Sequence, residues 1–320
     1  MKKFISVFLL FTFMFLALYT PTADAAAARK ARTPGTATAS TTVMTGAWLG
    51  EWASSGNTAI QDFNALANHR SEVIHTFVYS TQDVSQWEDF MDAAKSEGAI
   101  NLITLQLKKD DMTDYNTVEI NNGKLDEYFA TIAQQFKSWQ NGTEVWLRPL
   151  HEVNGDWYGW CVGNSNVNTN ASYKSAYQRI VKIFRANGAT NVKFVYNVNY
   201  QNKGSATYMG AYPGNNYVDY VSVDGYNWGT SQQWSSWQTF RQVFDAPYKA
   251  LASGSTKPII IAEIGSSEQG GSKAAWITDM KAQIKAGVYP RLKANIWFND
   301  NYDMDCAIDT SEFSLAAFRG

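Results

Sequence analysis

Two glutamates carry the chemistry available to this sequence. Glu152 stands in "RPLHEVNGDWYGW", residues 148 to 160, and Glu263 stands in "PIIIAEIGSSE", residues 258 to 268. An ionisable pair, His151 and Glu152, directly follows an apolar run and precedes a cluster of indoles. Glu263 follows three isoleucines and an alanine, where a carboxylate is costly unless it is paired or functional. Two carboxyl groups on one rim suit glycoside hydrolysis, in which one protonates the leaving oxygen and the other supports charge at the anomeric carbon. Their proton affinities must then differ, because the acid stays protonated while its partner is ionised. Arg148, four residues before Glu152, is the candidate for holding Glu263 ionised.

Other residues of suitable type surround these two. "DGYNW" supplies Asp224, Tyr226 and Trp228, "IWFND" supplies Trp297, and an apolar stretch carries His75. Trp48 and Trp52 lie near the start of the ordered-looking region, and Trp157 follows Glu152. Each has a duller reading. A lone Glu152 serves as well as a salt-bridge partner or helix cap. His151 suits a core position with one satisfied hydrogen bond, and His75 divides between core and cleft. Asp219 and Asp224 read equally as hydrogen-bonding groups of a rim. Trp139, Trp146 and Trp276 read as core. The acidic stretch at 299–305 matches no calcium loop, no other spacing fits a metal site, and no Gly-x-Gly-x-x-Gly follows the first strand. Neither metal nor cofactor is expected.

The elements that would position these residues alternate. Candidate strands fall at 43–50, 73–79, 101–107, 144–150, 192–199, 217–226, 258–265 and 292–299. Between them, stretches such as "QWEDFMDAAKSEG" and "ASYKSAYQRIVKIFRANG" show three- and four-residue apolar spacing and end at Gly. Strands alternating with helices call for a parallel sheet. Eight of them in this length favour a closed (β/α)8 TIM barrel over an open sheet, and in such barrels the site lies at the strands' C-terminal ends. Glu152 and Glu263 follow the fourth and seventh strands, so both belong on that face.

The chain's 320 residues begin with two lysines, an apolar run and Ala23-Asp24-Ala25. This reads as a secretory signal peptide over 1–25 rather than a retained anchor. Residues 26–44 read as a flexible leader, and 45–320 as one barrel domain. Without Lys2, Lys3 and Asp24, 25 basic and 28 acidic side chains remain, which gives no electrostatic footprint for nucleic acid. Aromatics make up 14%, an excess that suits stacking on sugar rings. A secreted protein with no membrane contact after cleavage, monomeric and acting on polysaccharide, is the expectation.

The residues then carry a resemblance. "WLRPLHEVNGDWYGW" resembles the Arg-Pro-x-His-Glu-x-Asn-Gly-x-Trp motif of glycoside hydrolase family 26, and "PIIIAEIGSSE" resembles its nucleophile strand. The similarity runs from about residue 45 to 318. It implies a (β/α)8 barrel and hydrolysis with retention, Glu152 as acid/base and Glu263 as nucleophile. It implies that His151, Trp157, Tyr226 and Trp297 line the cleaved sugar, with Tyr226 bonded to the nucleophile; His75 and Arg148 complete the expected binding set. Most members are endo-β-1,4-mannanases, a smaller branch are lichenases cutting mixed-linkage β-glucan, and a few act on β-1,3-xylan. "VYNVN" stands where mannanases usually carry a Trp-x-Pro-like segment, which favours the lichenase branch. Gln106 departs from the Trp-Glu-Pro-type segment common in relatives and leaves the adjoining subsites open. A non-catalytic carbohydrate-binding barrel would keep the aromatics without needing both glutamates.

Cys161 follows the Glu152 loop and Cys306 follows the last strand, so both fall on the predicted catalytic rim. In an oxidising compartment they are expected to form a disulfide; two unpaired thiols are the alternative.

Overall fold

A computed structural model describes residues 42–50, 58–301 and 303–320. The signal peptide and most of the leader read from the sequence, and Trp52, lie outside the described residues. Eight strands close into a barrel in sequence order. They are β1 (Met44–Trp48), β2 (Val73–Tyr79), β3 (Ile100–Gln106), β4 (Val145–Pro149), β5 (Val192–Asn199), β6 (Tyr220–Asn227), β7 (Ile259–Ser266) and β8 (Leu292–Phe298). Every neighbouring pair is parallel, β8 returning to β1. The (β/α)8 reading is therefore correct.

The helices are α1 (Thr58–Ala67), α2 (Gln86–Ser96), α3 (Thr117–Asn121), α4 (Asp126–Ser138), α5 (Asn170–Ala186), α6 (Phe240–Gly254), α7 (Lys273–Lys285) and α8 (Glu312–Arg319). They do not alternate strictly with strands. β3 and β4 are joined through both α3 and α4, whereas β5 and β6 are joined by residues 200–219 without an α-helix. α6 runs through Pro247, which breaks its helical sequence pattern. Its first turn is fixed by reciprocal bonds between Thr239 and Gln242.

Two apolar clusters follow from strand alternation. Outward-facing strand residues pack against the helices. Inward-facing ones, including Val73, Leu102, Trp146, Val195, Ile260 and Ile296, fill the barrel floor. Trp146 is the largest member of this inner set. It is wholly buried, and its indole donates to Glu144 at 2.8 Å. The packed floor closes the lower end of the barrel and leaves the strand C-termini to form a mouth. Trp146→Ala is expected to destabilise the domain by about 3–5 kcal/mol, measured as a lower urea midpoint with an unchanged slope.

Candidate active site

Period-two alternation decides which side chains reach the mouth. Along β2, Val73 is in the floor, so His75, Phe77 and Tyr79 also point inward. Along β8, Ala294 and Ile296 are in the floor, so Phe298 is the next inward residue. Trp297 therefore faces out. Its ring packs on Trp276 and Phe318 at 6.3 and 5.4 Å, and its Nε1 donates to the Cys306 carbonyl at 2.8 Å. The expected place for Trp297 beside the substrate is thus corrected by one residue. Phe298 lines the cavity instead, stacked on Trp48 at 3.9 Å with 22° between the rings.

Glu263 departs from simple alternation. Ile260 and Ala262 both belong to the floor, which by period two would turn Glu263 outward. The register with β6 slips here: Val223 pairs with Ile261, and Asp224 pairs with Glu263. β7 thus holds one extra residue, Ala262, as a bulge, and the bulge re-aims Glu263 inward. One Glu263 oxygen pairs with Arg148 Nη2, and the other accepts from the Tyr226 hydroxyl at 2.5 Å.

Arg148 is wholly buried, and its donors are all occupied. Nε donates to Thr104 Oγ1 at 2.6 Å, and Nη1 meets both oxygens of Asp224 at 2.8 and 2.6 Å. Nη2 serves Glu263 and lies 3.2 Å from His75 Nε2. Asp224 Oδ1 also accepts from Asn197 at 2.9 Å. Charge pairing with the two carboxylates holds the guanidinium proton above its ordinary range.

Glu152 sits just beyond β4 on an irregular backbone. Leu150 and Glu152 both adopt left-handed conformations, with φ of 53° and 52°, which non-glycine residues take up only at a cost that the surroundings must offset. Several bonds hold the segment there. Tyr173 from α5 donates to the Leu150 carbonyl at 2.7 Å, Trp160 donates to the His151 carbonyl at 2.8 Å, and Glu152 N–H donates to Asn197 Oδ1 at 2.7 Å. The carboxyl itself accepts from Asn199 Nδ2 at 2.7 Å and Trp157 Nε1 at 2.6 Å. Among the described residues no cation forms an ion pair with it. Burial pushes its pKa up to about 7, reinforced by the charge of Glu263, and the bonds from Asn199 and Trp157 oppose the shift.

His75, His151 and Arg148 were expected to contact substrate. None of them lines the cavity. His75 lies beneath it, its Nε2 2.7 Å from Thr104 Oγ1. His151 is enclosed by Tyr158, Trp160 and Phe77, with ring centroids at 4.4, 5.6 and 5.9 Å. Burial, and then the charge of Arg148, holds both imidazoles well below their usual range, so both are neutral. They act as supports of the residues above them.

The cavity encloses about 870 Å³. Glu152, Trp157, Tyr226 and Glu263 lie on its wall, as expected, together with Phe77, Tyr158, Asn199 and Trp228, of which the sequence had singled out only Trp228. Trp157 and Trp234 remain 42% and 66% exposed, which leaves flat ring faces for a ligand. A side chain at Gly155 would strike the Trp157 ring, its Cβ falling 2.6 Å away, so glycine there allows the indole to lie back on its own loop. Asn197 and Asn199 were legible in principle, being alternate residues of an inward-facing strand. Among the described residues no group of three metal-binding side chains occurs, and no described helix is long and apolar enough to cross a membrane.

The expected Cys161–Cys306 disulfide is absent: both thiols are free and buried. Each has its own enclosure. Cys161 Sγ donates to the Glu152 carbonyl at 3.2 Å, while Cys306 Sγ packs so closely on Gly265 that a Cβ there would lie 2.6 Å from it. Burial pushes both thiols up to about 12, which suppresses the thiolate that disulfide formation requires. The loop after β8 is anchored by other means. Lys273 Nζ donates to the carbonyls of Asp305 and Ala307 at 2.8 and 2.6 Å and to Thr310 at 2.9 Å.

Comparison with known proteins agrees with this geometry. The sequence profile described as Glycosyl hydrolase family 26 matches residues 71–301. Endoglucanase H of Acetivibrio thermocellus is 49% identical over 86% of this chain and 30% of its own length. A mannan endo-1,4-beta-mannosidase of Bacillus subtilis is 33% identical over 35% of this chain and 31% of its own. The chain thus spans about a third of each of these relatives. Among solved structures, a GH26 beta-mannanase from Bacteroides ovatus superposes with a TM-score of 0.65 at 16% identity, covering 87% of each chain. At that identity the likeness speaks for the fold alone.

Two outcomes are expected from the site's electrostatics. Because the folded pKa of Glu152 lies above its ordinary value, its ionised form is disfavoured in the fold, and stability falls as pH rises towards 7. The stability of the protein is therefore expected to be lower at pH 8 than at pH 5, as burial of the ionised Glu152 requires; denaturant titrations at the two values measure it. Thiol titration of the denatured, unreduced protein is expected to find both cysteines free.

Proposed function

This chain belongs to glycosyl hydrolase family 26, and from that premise we propose that it is an endo-acting, retaining β-1,4-glycanase. The observation that carries the reading is one cavity whose two carboxyl groups have opposite surroundings. Glu263 lies against a guanidinium and a tyrosine hydroxyl, and Glu152 lies between two neutral donors. That asymmetry suits a nucleophile and an acid.

In the first step Glu152 gives its proton to the glycosidic oxygen as the bond to the anomeric carbon breaks. A Glu263 oxygen attacks that carbon from the opposite face and forms a covalent glycosyl-enzyme. Arg148 and Tyr226 fix the attacking carboxylate, so little reorganisation accompanies the change in charge. In the second step Glu152, now ionised, takes a proton from water, which displaces Glu263 and restores the starting state. Trp157 and Trp234 offer faces on which flanking sugars stack.

The substrate assigned is mixed-linkage β-1,3-1,4-glucan. The 49% identity to a protein named Endoglucanase H, over 86% of this chain, supports a glucan. A second reading, an endo-β-1,4-mannanase, is favoured by the relatives named mannan endo-1,4-beta-mannosidase, which match shorter stretches. The signal peptide read over residues 1–25 supports a reaction outside the cell.

Reducing-sugar release from lichenan, barley β-glucan, glucomannan and galactomannan, assayed in parallel, separates these readings: activity confined to the mannans selects the second. Glu263→Ala is expected to lower kcat/KM by about 10⁴-fold or more while polysaccharide binding persists, and unchanged hydrolysis would refute the assignment. Because the acid must be protonated, kcat/KM is expected to fall above about pH 7.

A further inference from the structure

We propose that Asn199 is a positioning residue whose donor-only contact reserves the Glu152 proton for the substrate. The inference rests on Glu152 as the acid/base.

The argument begins with the direction of each hydrogen bond. An asparagine amide can donate or accept, and a flip of its plane exchanges the two roles. Here the flip is blocked. The backbone N–H of Gln201 donates to Asn199 Oδ1 at 2.9 Å, so the amide oxygen is fixed there and Nδ2 must face Glu152. The other partner, Trp157 Nε1, is an indole N–H and has no acceptor capacity. Each oxygen of Glu152 thus meets one protein group, and both groups only donate. When the carboxyl is protonated, no protein partner bonded to it can accept its hydrogen. The acceptors left to it are on the cavity side, where the glycosidic oxygen lies in the complex.

A short closed circuit holds Asn199 in this role. Asn154, two residues beyond Glu152, accepts from the Asn199 backbone N–H at 2.7 Å and donates to its carbonyl at 2.8 Å. Asn154 Nδ2 also lies 2.8 Å from Asn202 Oδ1. The Glu152 segment and the end of β5 therefore fix one another through backbone and side chain alike. The remaining ionisable groups that act on Glu152 are Glu263, Arg148, Asp224, Tyr158 and Cys161. None donates to or accepts from its carboxyl oxygens.

The arrangement also balances the reaction. In glycosylation the O–H bond of Glu152 breaks, its proton goes to the glycosidic oxygen, and the electrons of the severed C–O bond remain on that oxygen. In deglycosylation the same carboxyl oxygen takes a proton from water. Asn199 exchanges no proton in either step and stabilises the ionised form between them.

Asn199→Asp tests this with little change of shape. An aspartate oxygen can still accept from Gln201 N–H, but the donor facing Glu152 becomes an acceptor. The acid proton should then be shared between two carboxyls. The alkaline limb of kcat/KM is expected to move up by about one pH unit, and kcat on polysaccharide to fall at least tenfold, within the range of acid–base catalysis, with KM unchanged. The burst of dinitrophenolate from a dinitrophenyl glycoside, whose leaving group needs no protonation, should keep its wild-type rate. Asn199→Ala should move the limb the same way by a smaller amount. A limb that superposes on wild type in both variants, or equal losses on polysaccharide and activated glycoside, would overturn the role. Glu152→Gln, run alongside, tests the premise separately. Retention of the alkaline limb in that variant would remove Glu152 as the acid, whereas its loss with an unmoved limb in N199D would sink only the part given to Asn199.

Discussion

Arg148 uses its whole guanidinium inside the barrel, and the arrangement of charge in the cavity depends on it. Two carboxylates, Asp224 and Glu263, lie directly on this one cation. Glu152 is the third carboxyl near the cavity floor, and among the described residues only neutral donors bond its oxygens. If all three were ionised, the floor would carry two uncompensated negative charges away from water, at a large cost in free energy. Placing a proton on Glu152 removes part of that cost, and Glu152 is the group whose neighbours hold it least strongly as an anion. The difference between the two catalytic candidates therefore follows from counting charges around a single side chain. A lysine could not replace it, because three directions of planar donation are in use at once.

The carboxyls reach their positions through departures from regular structure. A bulge at Ala262 turns Glu263 into the mouth, and two left-handed residues, Leu150 and Glu152, turn the chain on either side of His151. Both departures are costly in isolation, and both are held by bonds from neighbouring strands and helices. Asn197 stands at their junction. Its Oδ1 takes the Glu152 backbone N–H, and its Nδ2 reaches Asp224, which binds Arg148. Local rules fail at the point where the chemistry is placed, and the regular barrel around it supplies the compensation.

This pattern explains what the sequence could reveal. The strands from Val73 to Tyr79 and from Val192 to Asn199 were readable to the residue, because alternation and β-branching report directly on a pleated, buried ladder. The two glutamates were readable because charge after an apolar run is unusual. Trp297 misled for the opposite reason. Aromatic character suits core and cleft equally, and only the strand's register decides between them. That register depends on Ala294 and Ile296, whose inward placement requires the closed sheet. α6 continues through Pro247 against its local sequence pattern, and residues 200–219 connect two strands without the helix that alternation demands. Asn199 was legible only as an inward position of β5, and its role, which arises from which way its amide is turned, was not.

Cys161 and Cys306 show how the mouth is held without a covalent link. Cys161 supports the carbonyl of Glu152, and Cys306 fills the space against Gly265 on the strand that carries Glu263. Cys161 is a small packing group beneath one half of the site, and Cys306 forms part of the cavity wall at the other. Tying the loops together falls instead to the hydrogen bonds of two charged side chains, Lys273 and Glu268, which also attract one another. Lys273 is wholly buried on carbonyl and hydroxyl oxygens of the loop after β8, and Glu268 Oε1 accepts from Thr310, Ser311 and Ser314 at 2.8, 2.8 and 2.6 Å. Both anchors belong to the segment that follows Glu263. The segment that follows Glu263 therefore secures the loop after β8, part of which lines the cavity.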